Sequence, residues 1–234
     1  MLRYIALGAL SFYLSSLAIC ALWTRISKKE LCKGGSIYRL INRCVLDDIE
    51  GKKCKVYGFT LFCGRQGGGK TYSAVKYCYD LAVKHNALLV SNIPLNVPKD
   101  VKYYALHDID EIQYLTGHDC YVILLDEIQT LFDSRNFDKD FYTVFCQLRK
   151  RDIKIVGTAQ VFERCALPLR EQVHDLYYCH TFLGALTRVT KYLPTINNSG
   201  KLCTDNPRIG RYWLIQDGFG RSMYDTFYRV GGAA

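Results

Sequence analysis

Residues 4–24 form a run of 21 positions without a charged side chain, rich in Leu, Ala and Ile. About twenty apolar residues span the hydrocarbon core of a membrane as a helix. Tyr4 and Trp23 stand near the ends of the run, where aromatic rings suit the membrane interfaces. Only Arg3 precedes it, which is too little basic character for a cleaved signal peptide. Arg25, Lys28, Lys29 and Lys33 follow it, so the positive-inside rule predicts a single-pass anchor with the bulk of the chain in the cytoplasm. A buried core helix is the alternative. Residues 26–54 are polar and basic with little periodicity, and they read as a linker with room for one short helix over 37–46.

From residue 55 the pattern changes to strands alternating with helices. Residues 56–63 are a short apolar run ending at Gly64, and 71–84 place Ala74, Val75, Cys78, Leu81 and Ala82 on one helical face. Strands are predicted at 87–93, closed by Pro94 and Pro98, and at 101–106, followed by a short helix over 108–115 with Asp108 as its cap. An apolar strand occupies 121–125. A helix over 137–151 ends in Arg149, Lys150 and Arg151, and the strand at 153–157 finishes in Thr158, Ala159 and Gln160. Residues 168–173 lead into a short apolar segment at 177–179. The stretch 187–229 mixes strand-like runs (212–215, 225–230) with polar turns, and 197–200 is a clear loop. Alternation of this kind predicts an α/β domain with a mainly parallel sheet. The expected organisation is an anchor at 1–25, a basic linker at 26–54 and the α/β domain at 55–234.

The chemistry enters with the loop Gly64-Arg65-Gln66-Gly67-Gly68-Gly69-Lys70-Thr71, which fits G-x-x-x-x-G-K-[ST] between a strand and a helix. Glycines let backbone N–H groups close around a phosphate chain, and the helix N-terminus behind them favours an anion. Lys70 is placed to reach the β- and γ-phosphates of ATP, and Thr71 to offer its hydroxyl to Mg²⁺. The strand at 121–125 delivers two carboxylates at its C-terminal end. Asp126 suits the water shell of Mg²⁺, and Glu127 suits a base that polarises the attacking water. At least one predicted strand separates the two motifs, and a later strand ends in a polar residue. That order is the one in which a strand-end group senses the γ-phosphate, a role that falls to Gln160. The alternative for Gln160 is a plain solvated side chain.

The net charge of +9 is compatible with nucleic acid or an anionic membrane surface. The 11 cysteines are scattered, with no C-x-x-C and no nearby His pair, so no zinc site is expected. Several occupy apolar positions, and in the reducing compartment where an ATP-dependent protein works they read as free thiols.

Gly64 to Thr71, together with residues 124–129, 148–160 and the closing Tyr224-Asp225-Thr226, resembles the zonular occludens toxin-like ATPase domain, a branch of the FtsK–HerA superfamily. In that branch apolar residues precede Asp-Glu, one further residue and Gln, as in Asp126-Glu127-Ile128-Gln129. A basic helix end, an apolar strand and a terminal Gln follow, matched by Leu148-Arg149-Lys150-Arg151-Asp152 and the strand up to Gln160. Leu169 to Val173 matches the next segment, and the resemblance covers residues 55–230. It implies a P-loop NTPase fold, RecA/FtsK-like and of the additional-strand catalytic-glutamate type. It also implies a homo-oligomer in which an arginine from a neighbouring subunit completes each site. Arg149, Arg151 and Arg170 are all candidates for that arginine, and the sequence does not choose among them.

The function that the resemblance implies is a motor in the host inner membrane. Its ATPase domain would lie in the cytoplasm and extrude phage DNA during assembly alongside coat or channel proteins. Contacts to DNA phosphates would be independent of sequence. A capsid DNA-packaging ATPase of a membrane-containing phage is a second reading. A low-turnover ATP-binding scaffold is a third, against which Glu127 argues.

Overall fold

The computed structural model describes residues 56–115, 120–132, 139–197, 200–203 and 206–225. The expected anchor at 4–24, the linker, the helix at 37–46 and most of the strand-like run at 225–230 lie outside them. Among the described residues no helix is long and apolar enough to cross a membrane.

In chain order the elements are β1 (Gly58–Cys63), α1 (Lys70–His85), β2 (Leu88–Ser91), β3 (Tyr103–Ala105), α2 (Glu111–Tyr114), β4 (Tyr121–Leu125), α3 (Ile128–Leu131) and α4 (Lys139–Gln147). They continue with β5 (Ile153–Ala159), a 3₁₀ turn (Phe162–Arg164), α5 (Leu167–Glu171), β6 (Val173–Phe182), β7 (Leu186–Tyr192), β8 (Arg208–Ile215) and α6 (Gly218–Ser222). The strands form one sheet in the order β3-β2-β4-β5-β1-β6-β7-β8. The pairings from β3 across to β6 are all parallel, and β7 and β8 add antiparallel at one edge. β5 therefore inserts between the strand that feeds the glycine loop and the strand that feeds the two carboxylates. This mixed, mostly parallel sheet is the P-loop NTPase arrangement.

The central strands β1, β4 and β5 are buried along their whole length, as near-continuous apolar runs covered on both faces should be. On one face α1 packs Ala74, Val75, Cys78 and Ala82 against Phe62, Val122, Leu124 and Val156. On the other, Ile128, Phe132, Phe145, Leu148 and Phe162 cover Phe59, Leu61, Ile123 and Ile155. Asn86 closes α1 in the left-handed conformation (φ 49°), its N–H bonded to the Ala82 carbonyl.

Three expectations need correction. Asp108 does not cap α2. Its carboxylate accepts the Asp110 N–H at 3.2 Å in a side-chain turn of its own, and the helix starts only at Glu111. The regular part of the helix foreseen over 137–151 stops at Gln147, where an i→i−3 bond from the Lys150 N–H to the Gln147 carbonyl at 2.8 Å tightens the last turn. Leu148 enters the core there, and Asp152 takes a left-handed conformation (φ 51°) to redirect the chain into β5. The segment at 177–179 is the centre of a ten-residue strand that continues into two more.

Cys63, Cys78, Cys146, Cys165, Cys179 and Cys203 are free thiols. Burial pushes Cys165 and Cys179 up to about 12, so both remain protonated and pack as small apolar groups. Cys120, just before β4, is buried.

Candidate nucleotide site

β1 delivers the chain into the loop 64–69 at the C-terminal edge of the sheet, and α1 leaves from it. The loop closes on one acceptor. The Gly68 N–H donates to the Arg65 carbonyl at 2.9 Å, and the Lys70 ammonium donates to the same oxygen at 3.3 Å. Gly69 is the helix N-cap in the left-handed region (φ 79°). A Cβ on it would stand 2.6 Å from Thr181 Oγ1 and 2.7 Å from Thr187 Oγ1, so the β6–β7 hairpin presses directly on the loop. The 16-residue helix behind Gly69 has no acidic residue in its first turn to compete for its free N–H groups.

The carboxylates arrive from β4. Thr71 Oγ1 donates to Asp126 Oδ1 at 3.0 Å, which joins the two motifs across 55 residues of sequence. Thr158 at the end of β5 donates to the same Oδ1 at 2.7 Å, and its hydroxyl accepts the Glu127 N–H at 2.9 Å. Asn92, just past β2, holds the Asp126 peptide from both sides, accepting its N–H at 2.8 Å and donating to its carbonyl at 3.1 Å. Glu127 then turns the chain in a left-handed conformation (φ 50°) at the start of α3. A non-glycine residue there costs on the order of 1 kcal/mol. Thr158 and Asn92 therefore maintain a strained reversal that sets where the glutamate side chain begins.

Burial raises the Asp126 carboxyl above the ordinary aspartate range. The hydrogen bonds from Thr158 and Thr71 and the charge of Lys70 oppose that rise, and the charge of Glu127 adds to it. A hydroxyl and a carboxylate oxygen 3.0 Å apart are a donor set that suits Mg²⁺. This ion takes hard oxygen ligands, keeps several waters and is bound through one or two protein groups plus substrate phosphates. The residues present fit it.

Lys70, Thr71 and Asp126 line a cavity of about 350 Å³. Its far wall holds Thr181, Gly184, Gln216, Arg221, Tyr224 and Asp225, all from the C-terminal part of the chain. Tyr224 and Asp225, known to the sequence reading only as part of a closing motif, thus reach the phosphate loop. Arg221 is fixed there by Gln216 Oε1 at 3.0 Å and by the Gly184 carbonyl. Tyr72, the residue after Thr71, ties this wall to α1: its hydroxyl bonds the Ile215 carbonyl at 3.1 Å and accepts the Asp217 N–H at 3.2 Å.

Gln160 lines a second cavity of about 530 Å³ on the other flank of the loop, with Gly64, Arg65 and Gln66. The three arginines considered for a trans role do not line either cavity of their own chain. Arg149 stacks over the Tyr57 ring at 5.6 Å, before β1, at the edge of the sheet opposite the loop. Arg151 donates to the Gln113 carbonyl at 2.6 Å, and Arg170 donates to the Gly200 carbonyl.

Sequence reasoning missed Asn92, Thr158, Tyr72, Gln216 and Arg221. Thr158 alone carried a signal, since it closes the predicted strand beside the Asp-Glu pair.

No protein-family model and no curated protein sequence matches the chain. Among solved structures, the N-terminal domain of zonular occludens toxin from Neisseria meningitidis superposes with a TM-score of 0.53 at 16% identity, covering 73% of this chain and all of that domain. This likeness shows the fold. B204, the DNA-packaging ATPase from Sulfolobus Turreted Icosahedral Virus, superposes with a TM-score of 0.43 at 13% identity, over 53% of this chain and 76% of its own. The flagellar accessory protein FlaH from Methanocaldococcus jannaschii gives 0.44 at 14% identity, over 73% and 95%.

Proposed function

We propose that this chain is a membrane-anchored, oligomeric ATPase that uses hydrolysis to move phage DNA during assembly. The observation that carries the ATPase reading is the junction of Thr71, Asp126, Glu127 and Thr158. Thr71 and Thr158 there bond the Asp126 carboxylate, and Thr158 bonds the Glu127 N–H, at 2.7–3.0 Å, which supports a phosphate loop working beside a magnesium ligand and a water-orienting glutamate.

In this mechanism the loop amides and Lys70 bind the phosphate chain, and Thr71 and Asp126 hold Mg²⁺. The bound ion supplies charge neutralisation at the phosphoryl oxygens. Glu127 accepts a proton from the attacking water and orients it. Gln160, at the end of β5, reads the γ-phosphate state from the flank of the loop. A neighbouring subunit contributes an arginine to the developing charge. The net charge of +9 supports phosphate contacts independent of sequence, and the run at 4–24 supports an anchor in the host inner membrane.

The test is ATP turnover by the full chain in detergent, with and without single- and double-stranded DNA, beside Lys70→Ala and Glu127→Gln. DNA-stimulated hydrolysis lost in both variants is the expected result. Tight ATP binding without turnover, at any protein concentration and with either DNA, would replace the motor with a nucleotide-binding scaffold.

A further inference from the structure

One face of the sheet edge formed by β6, β7 and β8 is covered in a way that the nucleotide site does not explain. Register pairs His180 with Arg188 and Arg188 with Trp213, and in the adjoining row Tyr178 with Thr190 and Thr190 with Arg211. These residues, with Phe182, share one side of the three strands. Trp213 is 51% exposed, and Tyr178 and Phe182 are each 37% exposed. The rings are already organised: Phe182 lies 5.8 Å from Trp213 and 4.4 Å from His180, and the Arg188 guanidinium stacks over Phe182 at 5.4 Å. The positions that β6, β7 and β8 turn to this side hold no carboxylate, while Glu163 acts on the Tyr178 edge from outside the strands.

We infer that this face is a platform for unpaired nucleotides, with Trp213, Phe182 and Tyr178 stacking on bases and Arg188 and Arg211 meeting phosphates. The inference rests on the reading of the chain as a DNA-moving ATPase and adds which form of nucleic acid it grips, and where. A duplex hides the faces of its bases and offers mainly phosphates and groove edges, which calls for dense cations. Here three exposed rings stand among Arg188, Arg211 and, opposite Tyr192, Arg208, and rings set among cations are the composition of a surface that stacks single strands. A buried apolar partner surface would leave these arginines desolvated without counter-charge, an expensive arrangement.

The place of the platform gives it a route to the ATP site. The cavity of about 530 Å³ joins Tyr178, His180 and Arg188 to Gln160, Arg65 and Gln66. A strand lying on the rings thus borders the outer side of the phosphate loop and the proposed γ-phosphate sensor.

The experiment uses the full chain in detergent and a fluorescein-labelled oligothymidine longer than the ~4–16 nucleotides that one such platform covers. Anisotropy titrations compare it with a duplex of equal length. The wild type is expected to prefer the single strand, with quenching of tryptophan emission on binding. Trp213→Ala should weaken single-strand binding by about tenfold or more, and Trp213→Phe should restore most of it. Arg188→Ala should reduce the slope of log affinity against log salt by about 0.7. Equal affinity for duplex, or single-strand affinity unchanged in both Trp213→Ala and Arg188→Ala, would overturn the platform. So would a Trp213-dependent self-association seen by sedimentation without DNA binding, which would assign the face to a second copy.

The two readings fail separately. DNA-stimulated hydrolysis with binding indifferent to Trp213 and Arg188 removes the platform and leaves the motor. Trp213-dependent single-strand binding without hydrolysis removes the motor and leaves the platform.

Discussion

Thr158 donates its hydroxyl proton to Asp126 Oδ1 at 2.7 Å and accepts the Glu127 N–H at 2.9 Å, so one side chain of β5 holds the carboxylate of Asp126 and the backbone of Glu127. This is possible only because β5 lies between β1 and β4 in the sheet. The role is one of positioning. Thr158→Val keeps the volume and β-branched shape while removing both bonds. It is expected to lower kcat by about 10- to 100-fold, the usual effect of losing a group that orients a metal ligand. ATP binding, set mainly by the loop amides and Lys70, should change far less. Steady-state kinetics with a fluorescent-nucleotide titration separates the two effects, and an equal loss in both would remove Thr158 from this role.

Asp126 carries a stability cost, which the proposed Mg²⁺ role accounts for. A carboxyl whose folded pKa is raised stabilises the fold when protonated. That contribution is complete below the ordinary value of 3.8 and is lost as pH rises through the folded value. At neutral pH the buried charge is therefore unfavourable. Asp126→Asn keeps an oxygen for Thr71 and Thr158 but removes the charge. Its Tm at pH 7 should exceed that of the wild type by about 2–4 °C, the shift that roughly 1 kcal/mol produces in a chain of this size. The difference should shrink as pH falls toward 3.8. Calorimetry across that range checks it, and a constant or reversed difference would count against the burial argument. The same variant should lose Mg²⁺-dependent stabilisation by ATP.

The loop and its two neighbours were legible because each is a local pattern. A glycine run between an apolar strand and an amphipathic helix, and a strand ending in Asp-Glu, need no knowledge of distant partners. Thr158 and Asn92 were opaque for the opposite reason. Their roles depend on β2, β4 and β5 lying side by side, and a lone Thr or Asn at a strand end looks the same whether or not a carboxylate faces it. The hairpin β6–β7 failed differently. Thr187, Val189 and Lys191 face the α1 side of the sheet and Arg188, Thr190 and Tyr192 the other. Two mixed faces blur the period-two contrast that announces a strand. The exposed rings of β6 and β8 blurred it further, since an apolar residue on a solvent-facing side mimics a core position.

Gly69 meets two demands at once, and Gly67 only one. Both take a left-handed backbone, with φ of 79° and 71°. A methyl group on Gly69 would strike the hydroxyls of Thr181 and Thr187, whereas one on Gly67 would meet nothing within 4 Å. Gly67→Ala should cost about 1 kcal/mol from backbone strain. Gly69→Ala adds about 1–3 kcal/mol for the displaced hairpin. Urea unfolding of the two variants measures the gap, and equal losses would mean that the hairpin yields without resistance.

Tyr72 couples the phosphate loop to the C-terminal wall of the cavity. The ring is buried, and its hydroxyl holds the Ile215 carbonyl and the Asp217 N–H, while Asp217 in turn caps α6 through the Gly220 N–H at 2.6 Å. Gly220 sits so close that a Cβ on it would stand 2.6 Å from the Tyr72 hydroxyl oxygen. Tyr72→Phe removes the hydroxyl and leaves two backbone groups without their partner, a loss of about 1–2 kcal/mol. Because Gln216 and Arg221 hang from this segment, the loss should register as faster amide exchange over 215–221. It should also raise the KM for ATP severalfold with kcat nearly intact, since the carboxylates and Thr158 are untouched. Gly220→Ala attacks the same contact from the other side. The double variant should therefore cost clearly less than the sum of the two single ones. Additive effects would show that the wall is held by other contacts and that Tyr72 is only a packed ring.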